Sequence, residues 1–160
     1  MTVTLEEVAY RVLPRVNAGR ALADVEWATL KSAAEVFVSE SPVAISPEKI
    51  ADNVEAFLIA GRSKRAWRVR VLLTLIEYIP LPFYGLRFSD LSVLERRRVI
   101  EERMIHGRNL WGICAKIRML VTMGIYGDAV AQPAIGFVPV PLRNRHIATR
   151  GAIEPASLTQ

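Results

Sequence analysis

Residues 108–123 read RNLWGICAKIRMLVTM, and this stretch decides the fold that the sequence predicts. Its apolar residues recur every three or four positions, which is typical of one face of an α-helix. A core-facing stripe is formed by Leu110, Ile113, Cys114, Ile117, Leu120 and Val121. A second apolar side of the same helix is formed by Trp111, Ala115, Met119 and Met123. A helix that is apolar on two sides must be covered on both.

Two arrangements would cover this helix. It can lie at the centre of a compact bundle, where its own chain buries both sides. Alternatively, its own bundle buries one side and a partner protein buries the other. The periodicity of the apolar residues leaves both arrangements open.

The chain changes character at Gly124, which is expected to end this helix. Residues 125–141 contain three prolines and, counted with Gly124, three glycines, which excludes a long helix and disfavours an interior strand. The apolar residues of this segment need a surface on which to lie. They include Ile135, Phe137, Val138 and Val140. We therefore predict a helical bundle at 1–124 and an extended partner-clasping tail at 125–160, within a single domain overall.

Four more helices are predicted before residue 108. Asp24 is expected to cap the first, and Ser46 with Pro47 opens the second. Pro80 ends the third, and Ser92 with Glu95 forms a capping box for the fourth. The predicted ranges are 21–39, 46–61, 63–79 and 92–105. No convincing pair of strands occurs, so the predicted fold class is all-α, a bundle of about five helices.

The composition is that of a folded chain. The 160 residues are 51% hydrophobic and 23% charged, which excludes a disordered protein. The single cysteine, Cys114, excludes an internal disulfide. The amino terminus carries no export signal of its own, so we expect a cytoplasmic protein unless a partner carries it out. The most apolar run, 69–86, is interrupted by charges and prolines, and no membrane span is expected.

The sequence contains no set of residues that is suited to catalysis. His106 has only Glu102 at helical spacing, which is typical of a surface pair, and His146 lies far away in sequence. No metalloprotease, nucleophile-elbow or phosphate-loop motif occurs. Cys114 lies on the core stripe, which favours packing, although an intersubunit disulfide stays open. We therefore predict no catalytic, cofactor-binding or metal-binding residue in this chain.

Two groups of basic residues suggest charged surfaces. The residues 96–98, all arginine, lie near Glu101 and Glu102 and are interpreted as a solvated helix face with internal salt bridges. A second group surrounds Trp67 and consists of Arg62, Lys64, Arg65, Arg68 and Arg70. Such a basic and aromatic group could follow phosphates, so nucleic-acid binding is an alternative, although no recognition motif accompanies it.

The segment 88–139 resembles a known family in the order and spacing of its motifs. These read Phe88-Ser-Asp-Leu91, Glu95-Arg-Arg-Arg98, Arg108-Asn-Leu-Trp111, Met119-Leu-Val-Thr-Met-Gly-Ile-Tyr126 and Ala134-Ile-Gly-Phe137. The resemblance is to the small (gamma) subunit of bacterial FAD-dependent dehydrogenases of the glucose-methanol-choline type, also called gluconate 2-dehydrogenase subunit 3. The chain departs from that family after Tyr126, where the usual Asp-Pro is absent, and at Phe137, where tyrosine is usual.

The resemblance implies a non-catalytic small subunit in a hetero-oligomer. FAD and the pocket for an alcohol, sugar or steroid would then belong to a large flavoprotein subunit, which this chain would bind and stabilise. The partner-binding residues that we expect are Trp111, Tyr126, Ile135, Gly136, Phe137 and Pro139. The alternative is a stand-alone helical binding module, for protein or nucleic acid, without an enzymatic role.

Overall fold

The fold consists of helices joined by turns. The computed structural model describes residues 5–39, 45–61, 66–105 and 111–128. Within these ranges no strand occurs, and the predicted all-α class is confirmed. The helices, in chain order, are α1 (Leu5–Val12), α2 (Asp24–Val38), α3 (Pro47–Ala60), α4 (Ala66–Tyr78), the single-turn α5 (Leu81–Tyr84), α6 (Val93–Arg98) and α7 (Trp111–Tyr126). A 3-10 turn, Phe88–Asp90, precedes α6, and a π-helical segment, Val99–Ile105, continues it.

Helix α2 lies at the centre of the bundle and contacts α3, α4, α6 and α7. Its inner side presents Leu30, Ala33 and Ala34, which are fully buried, and the two alanines allow neighbouring helices to approach closely. The neighbours contribute further buried side chains: Ile50 and Val54 from α3, Leu73 and Ile76 from α4, and Ile117 and Val121 from α7. Because α2 takes the central position, α7 packs with only one of its sides toward this core.

Two helix starts follow local signals in the sequence. The Ser46 hydroxyl accepts a hydrogen bond from the Lys49 backbone N–H at 3.2 Å, at the start of α3. Ser92 and Glu95 form the predicted capping box at the start of α6. The prediction for α2 was wrong, because Asp24 is its first residue rather than its cap.

The carboxy-terminal end of α7 also differs from the prediction. The helix does not stop at Gly124 but continues to Tyr126. Gly124 faces α3, where an added Cβ would lie 2.6 Å from both the backbone oxygen and the Cγ2 of Ile50. Asn53 of α3 also donates a hydrogen bond to the Gly124 carbonyl oxygen at 2.9 Å. The glycine therefore permits close packing of two helices instead of ending one.

The helices α1 and α5 were not predicted from the sequence. Helix α1 has only eight residues, which is too short to be stable alone, and it contacts α4. Pro80 ends α4 as predicted, but the chain then forms the single turn α5. Gly85 closes that turn with a φ of 67°, a left-handed conformation that glycine adopts readily.

Arg96 lies inside the bundle and not on a solvated face. It forms an ion pair with Glu35 of α2. It also donates hydrogen bonds to the carbonyl oxygens of Phe88 and Ser89, at 3.1 and 2.7 Å. The predicted solvated face at 96–98 is therefore wrong at its first residue, which joins α6 to α2 and to the 3-10 turn.

Glu55 of α3 binds the segment that leads into α2. Its carboxylate accepts two hydrogen bonds from the Arg20 guanidinium, both at 2.9 Å. It also accepts the backbone N–H groups of Ala21 and Leu22, at 3.0 and 3.1 Å. Burial raises the pKa of this carboxyl, but Arg20 and the two N–H groups together outweigh burial, so the pKa lies below its ordinary value.

The fold is expected to lose stability in acid as Glu55 becomes protonated. Because its folded-state pKa is below the ordinary 4.5, its contribution is complete above pH 4.5 and is lost as the pH falls through the folded-state pKa. Urea denaturation of wild type and Glu55→Gln from about pH 7 to about pH 3 measures this effect. The difference in their free energies of unfolding should shrink toward low pH. A constant difference over this range would contradict the role given to Glu55.

Candidate partner-binding surface

The second apolar side of α7 is open to solvent along the carboxy-terminal half of the helix. Met119 is 56% exposed and Tyr126 is 48% exposed, while Met123 is half-buried. With Ala115 these side chains line a shallow groove of about 620 Å³, the outer groove of α7. Large apolar side chains that remain exposed side by side are typical of a surface that another molecule covers. The predicted second apolar side is thus confirmed for Ala115, Met119 and Met123, and Tyr126 extends it.

A second groove lies between α4 and α7. Its volume is about 350 Å³, and this α4–α7 groove is lined by Arg68, Val69, Val71, Leu72 and Leu75 of α4 and by Ile113, Lys116, Met119 and Leu120 of α7. Leu72 and Leu120 are buried and form its floor, whereas Leu75 is 51% exposed at its edge. Met119 lines both grooves, so the two form one continuous apolar surface.

The charges along this surface are all positive. Arg68 and Lys116 line the α4–α7 groove, and Arg118 lines the outer groove of α7. Among the residues that the structure describes, no aspartate or glutamate lines either groove. Within the described ranges none of the three cations forms a salt bridge, although the Arg68 guanidinium lies 5.5 Å from the centre of the Trp67 ring. The surface therefore combines apolar side chains with cations that lack a carboxylate.

Only two of the six predicted partner-binding residues fall within the described ranges. Trp111 is the first residue of α7, and only its backbone is described. Tyr126 is the last residue of α7 and lines the outer groove. The two are about 22 Å apart along the helix axis, so they mark opposite ends of one helix rather than one pocket. The other four lie outside the described residues: Ile135, Gly136, Phe137 and Pro139.

Helix α4 provides a part of this surface that was not predicted from the sequence. Arg68, Leu72 and Leu75 are spaced by four and three residues, so they lie on one side of α4. That spacing was a usable signal. It was hidden because α4 is apolar on almost every side after its first turn, so periodicity did not show which side faces α7.

Cys114 lies at the base of the outer groove of α7 and is buried. Burial raises the pKa of its thiol, and the nearby Arg118 lowers it by a smaller amount. At neutral pH the thiol is therefore protonated, which is the unreactive form. Both its burial and its protonation favour the predicted packing role over a disulfide with another subunit.

The basic group around Trp67 is smaller than the sequence suggested. Arg70 is buried, and its Nε donates to the two carboxylate oxygens of Glu26 at 3.1 and 2.9 Å. Arg70 is therefore not available to the nucleic-acid alternative, because an internal carboxylate already binds it. Arg68 is exposed, and three members lie outside the described residues: Arg62, Lys64 and Arg65.

Other kinds of site find no support in the part of the chain that the structure describes. There, no group of three or more histidine, cysteine, aspartate or glutamate side chains is placed to hold a metal ion. His106 and His146 fall outside that part. Among the same residues, no helix has the length and apolar character needed to cross a membrane.

Comparisons with known proteins add no family to these observations. No protein-family model matches the chain, and no solved structure matches it. The resemblance to the small subunits of flavin-dependent dehydrogenases stays a prediction from the motifs at 88–139. The structure contributes a separate observation, the exposed apolar surface formed by α4 and α7.

Proposed function

We propose that this chain is a non-catalytic small subunit that binds and stabilises a large FAD-dependent dehydrogenase or oxidase of the glucose-methanol-choline type. The observation that carries the proposal is the uncovered apolar surface of α4 and α7, with Leu75, Met119 and Tyr126 each about half exposed. Aromatic residues and methionine are enriched in interfaces, and burying such residues provides most of the binding free energy.

The resemblance at 88–139 supports this class of partner. Its motifs include most of α7, the helix that carries the exposed apolar side. In such a complex FAD binds to the large subunit and supplies the oxidation of the substrate. The part played by this chain is to cover apolar surface of the large subunit and thereby to shift that subunit toward its folded state. The tail that follows α7 is proposed to contribute Ile135, Gly136, Phe137 and Pro139 to the same interface.

Co-purification with a large flavoprotein encoded beside this chain tests the proposal. The wild-type chain should form a stable complex, and the double variant Ile135→Asp/Phe137→Asp should lose it, because carboxylates would have to be buried without partners. Phe57→Asp is the matched control, since Phe57 is exposed on α3 and lines neither groove. The helical circular dichroism signal of each variant should equal that of wild type. A double variant that still co-purifies would count against the proposed role of the tail.

The alternative, a stand-alone binding module, makes different predictions. A stand-alone chain should be monodisperse when expressed alone and should gain nothing from the flavoprotein. A nucleic-acid binder should lose affinity steeply as salt rises. The structure favours a protein partner, because Arg70 and Arg96 are bound by internal carboxylates and are not available to phosphates.

A further inference from the structure

We propose, building on the function proposed above, that the α4–α7 groove binds an amphipathic helix of the large subunit that carries carboxylates opposite Arg68 and Lys116. The groove lies between two packed helices and has an apolar floor. Arg68 and Leu75 span about 10 Å of α4, or two turns of a helix, and two such turns present apolar residues at spacings of three and four to a groove of this kind.

The positive charges of the groove favour a binding segment that carries carboxylates. Arg68 and Lys116 line it. Within the part of the chain that is described, no acidic residue lines it and neither cation forms a salt bridge. The buried cations Arg70 and Arg96 are neutralised by internal carboxylates, whereas Arg68 and Lys116 lie beside the apolar lining of this groove. An apolar segment flanked by aspartate or glutamate would bury Leu75 and Met119 and neutralise both cations, whereas a basic segment would be repelled.

The groove also continues into the surface that was predicted from the sequence. Met119 belongs to both the α4–α7 groove and the outer groove of α7, and the latter ends at Tyr126. One partner can therefore contact Tyr126 and fill the α4–α7 groove without leaving an uncovered strip between them. This continuity supports a single partner that covers both grooves, and the cations support an acidic segment of that partner.

Binding of the full chain to the purified large subunit, measured at salt concentrations from about 0.05 to 0.5 M, tests the inference. We expect Arg68→Glu/Lys116→Glu to raise Kd by about tenfold or more at low salt, with a smaller effect at high salt. We expect Met119→Glu to raise Kd by about tenfold or more, because a buried carboxylate would lack a partner. The matched controls are Lys49→Glu and Phe57→Glu on α3, which should change Kd by less than about twofold.

A photo-reactive side chain introduced at Met119 identifies the bound segment. Cross-linking to a helix of the large subunit that contains aspartate or glutamate supports the inference. Replacing those carboxylates with arginine should then restore binding to Arg68→Glu/Lys116→Glu, which a structural defect in this chain would not allow.

Four results would overturn the inference, and they separate it from the proposed function. If wild type binds the large subunit and the groove variants bind equally well, the function stands and the groove assignment is wrong. If wild type forms no complex, both are wrong. A self-association of this chain that Met119→Glu abolishes would identify a second copy as the occupant. Cross-linking of position 119 to residues after Asp128 would identify the chain's own tail.

Discussion

Replacement of Arg70 by alanine is expected to lower the free energy of unfolding by about 3–5 kcal/mol. Its partner, Glu26, has a fully buried side chain, and Arg70 itself is 7% exposed. Without the arginine, the carboxylate of Glu26 would keep one hydrogen bond, from the Ala23 N–H at 2.8 Å, and would lie uncompensated in the core. The variant would also free the Pro14 carbonyl oxygen, to which Arg70 donates.

Urea denaturation of the single and double variants measures this effect. In Glu26→Gln/Arg70→Met both charges are gone and an acceptor for the Ala23 N–H remains. The double variant should therefore lose less stability than the sum of the losses in Glu26→Gln and Arg70→Met. Lys31→Met is the control, because the Lys31–Glu48 pair is partly exposed and should contribute little to stability. An Arg70→Ala loss no larger than that of Lys31→Met would contradict the buried pair.

Gly124→Ala is expected to destabilise the bundle by about 1–3 kcal/mol, although alanine is the better helix former. The added Cβ would lie 2.6 Å from the Ile50 backbone oxygen, which cannot rotate away as a side chain can. The Cγ2 atom of Val54 would lie 3.1 Å from it. Helices α3 and α7 would have to separate, and the surface presented by α7 would shift with them.

Gly112→Ala is the matched control in the same helix. A Cβ at Gly112 meets no atom of the described residues within 4 Å, so the substitution should raise stability by up to about 1 kcal/mol through helix propensity. The two glycine substitutions should therefore change the thermal unfolding midpoint in opposite directions. If both raise it, the close contact between α3 and α7 is not the reason for glycine at position 124.

Local signals predicted several features of the fold correctly. The starts of α3 and α6 followed from Ser46 and from Ser92 with Glu95, because a cap and the N–H it accepts lie within three residues of each other. The core stripe of α7 followed from the helical period, and Ile117 and Val121 on it are buried. Such features depend on neighbours in sequence and can be predicted without knowledge of the fold.

Buried charges could not be predicted in the same way. Arg70 and Arg96 look in the sequence like other surface arginines, because their carboxylate partners, Glu26 and Glu35, lie 44 and 61 residues away. Whether an arginine is solvated or buried is decided by the element packed against it. The same holds for Gly124, which could end a helix or allow close packing until the position of Ile50 is known.

The helical class, the starts of α3 and α6, and the second apolar side of α7 could all be predicted from the sequence. The central position of α2, the continuation of α7 past Gly124, and the groove that Arg68 and Leu75 of α4 form with α7 follow from the packing of the helices. The two groups of features differ in the range of the interactions that produce them. Helix period and capping act within one or two turns, whereas the position of a groove depends on how helices distant in sequence pack together.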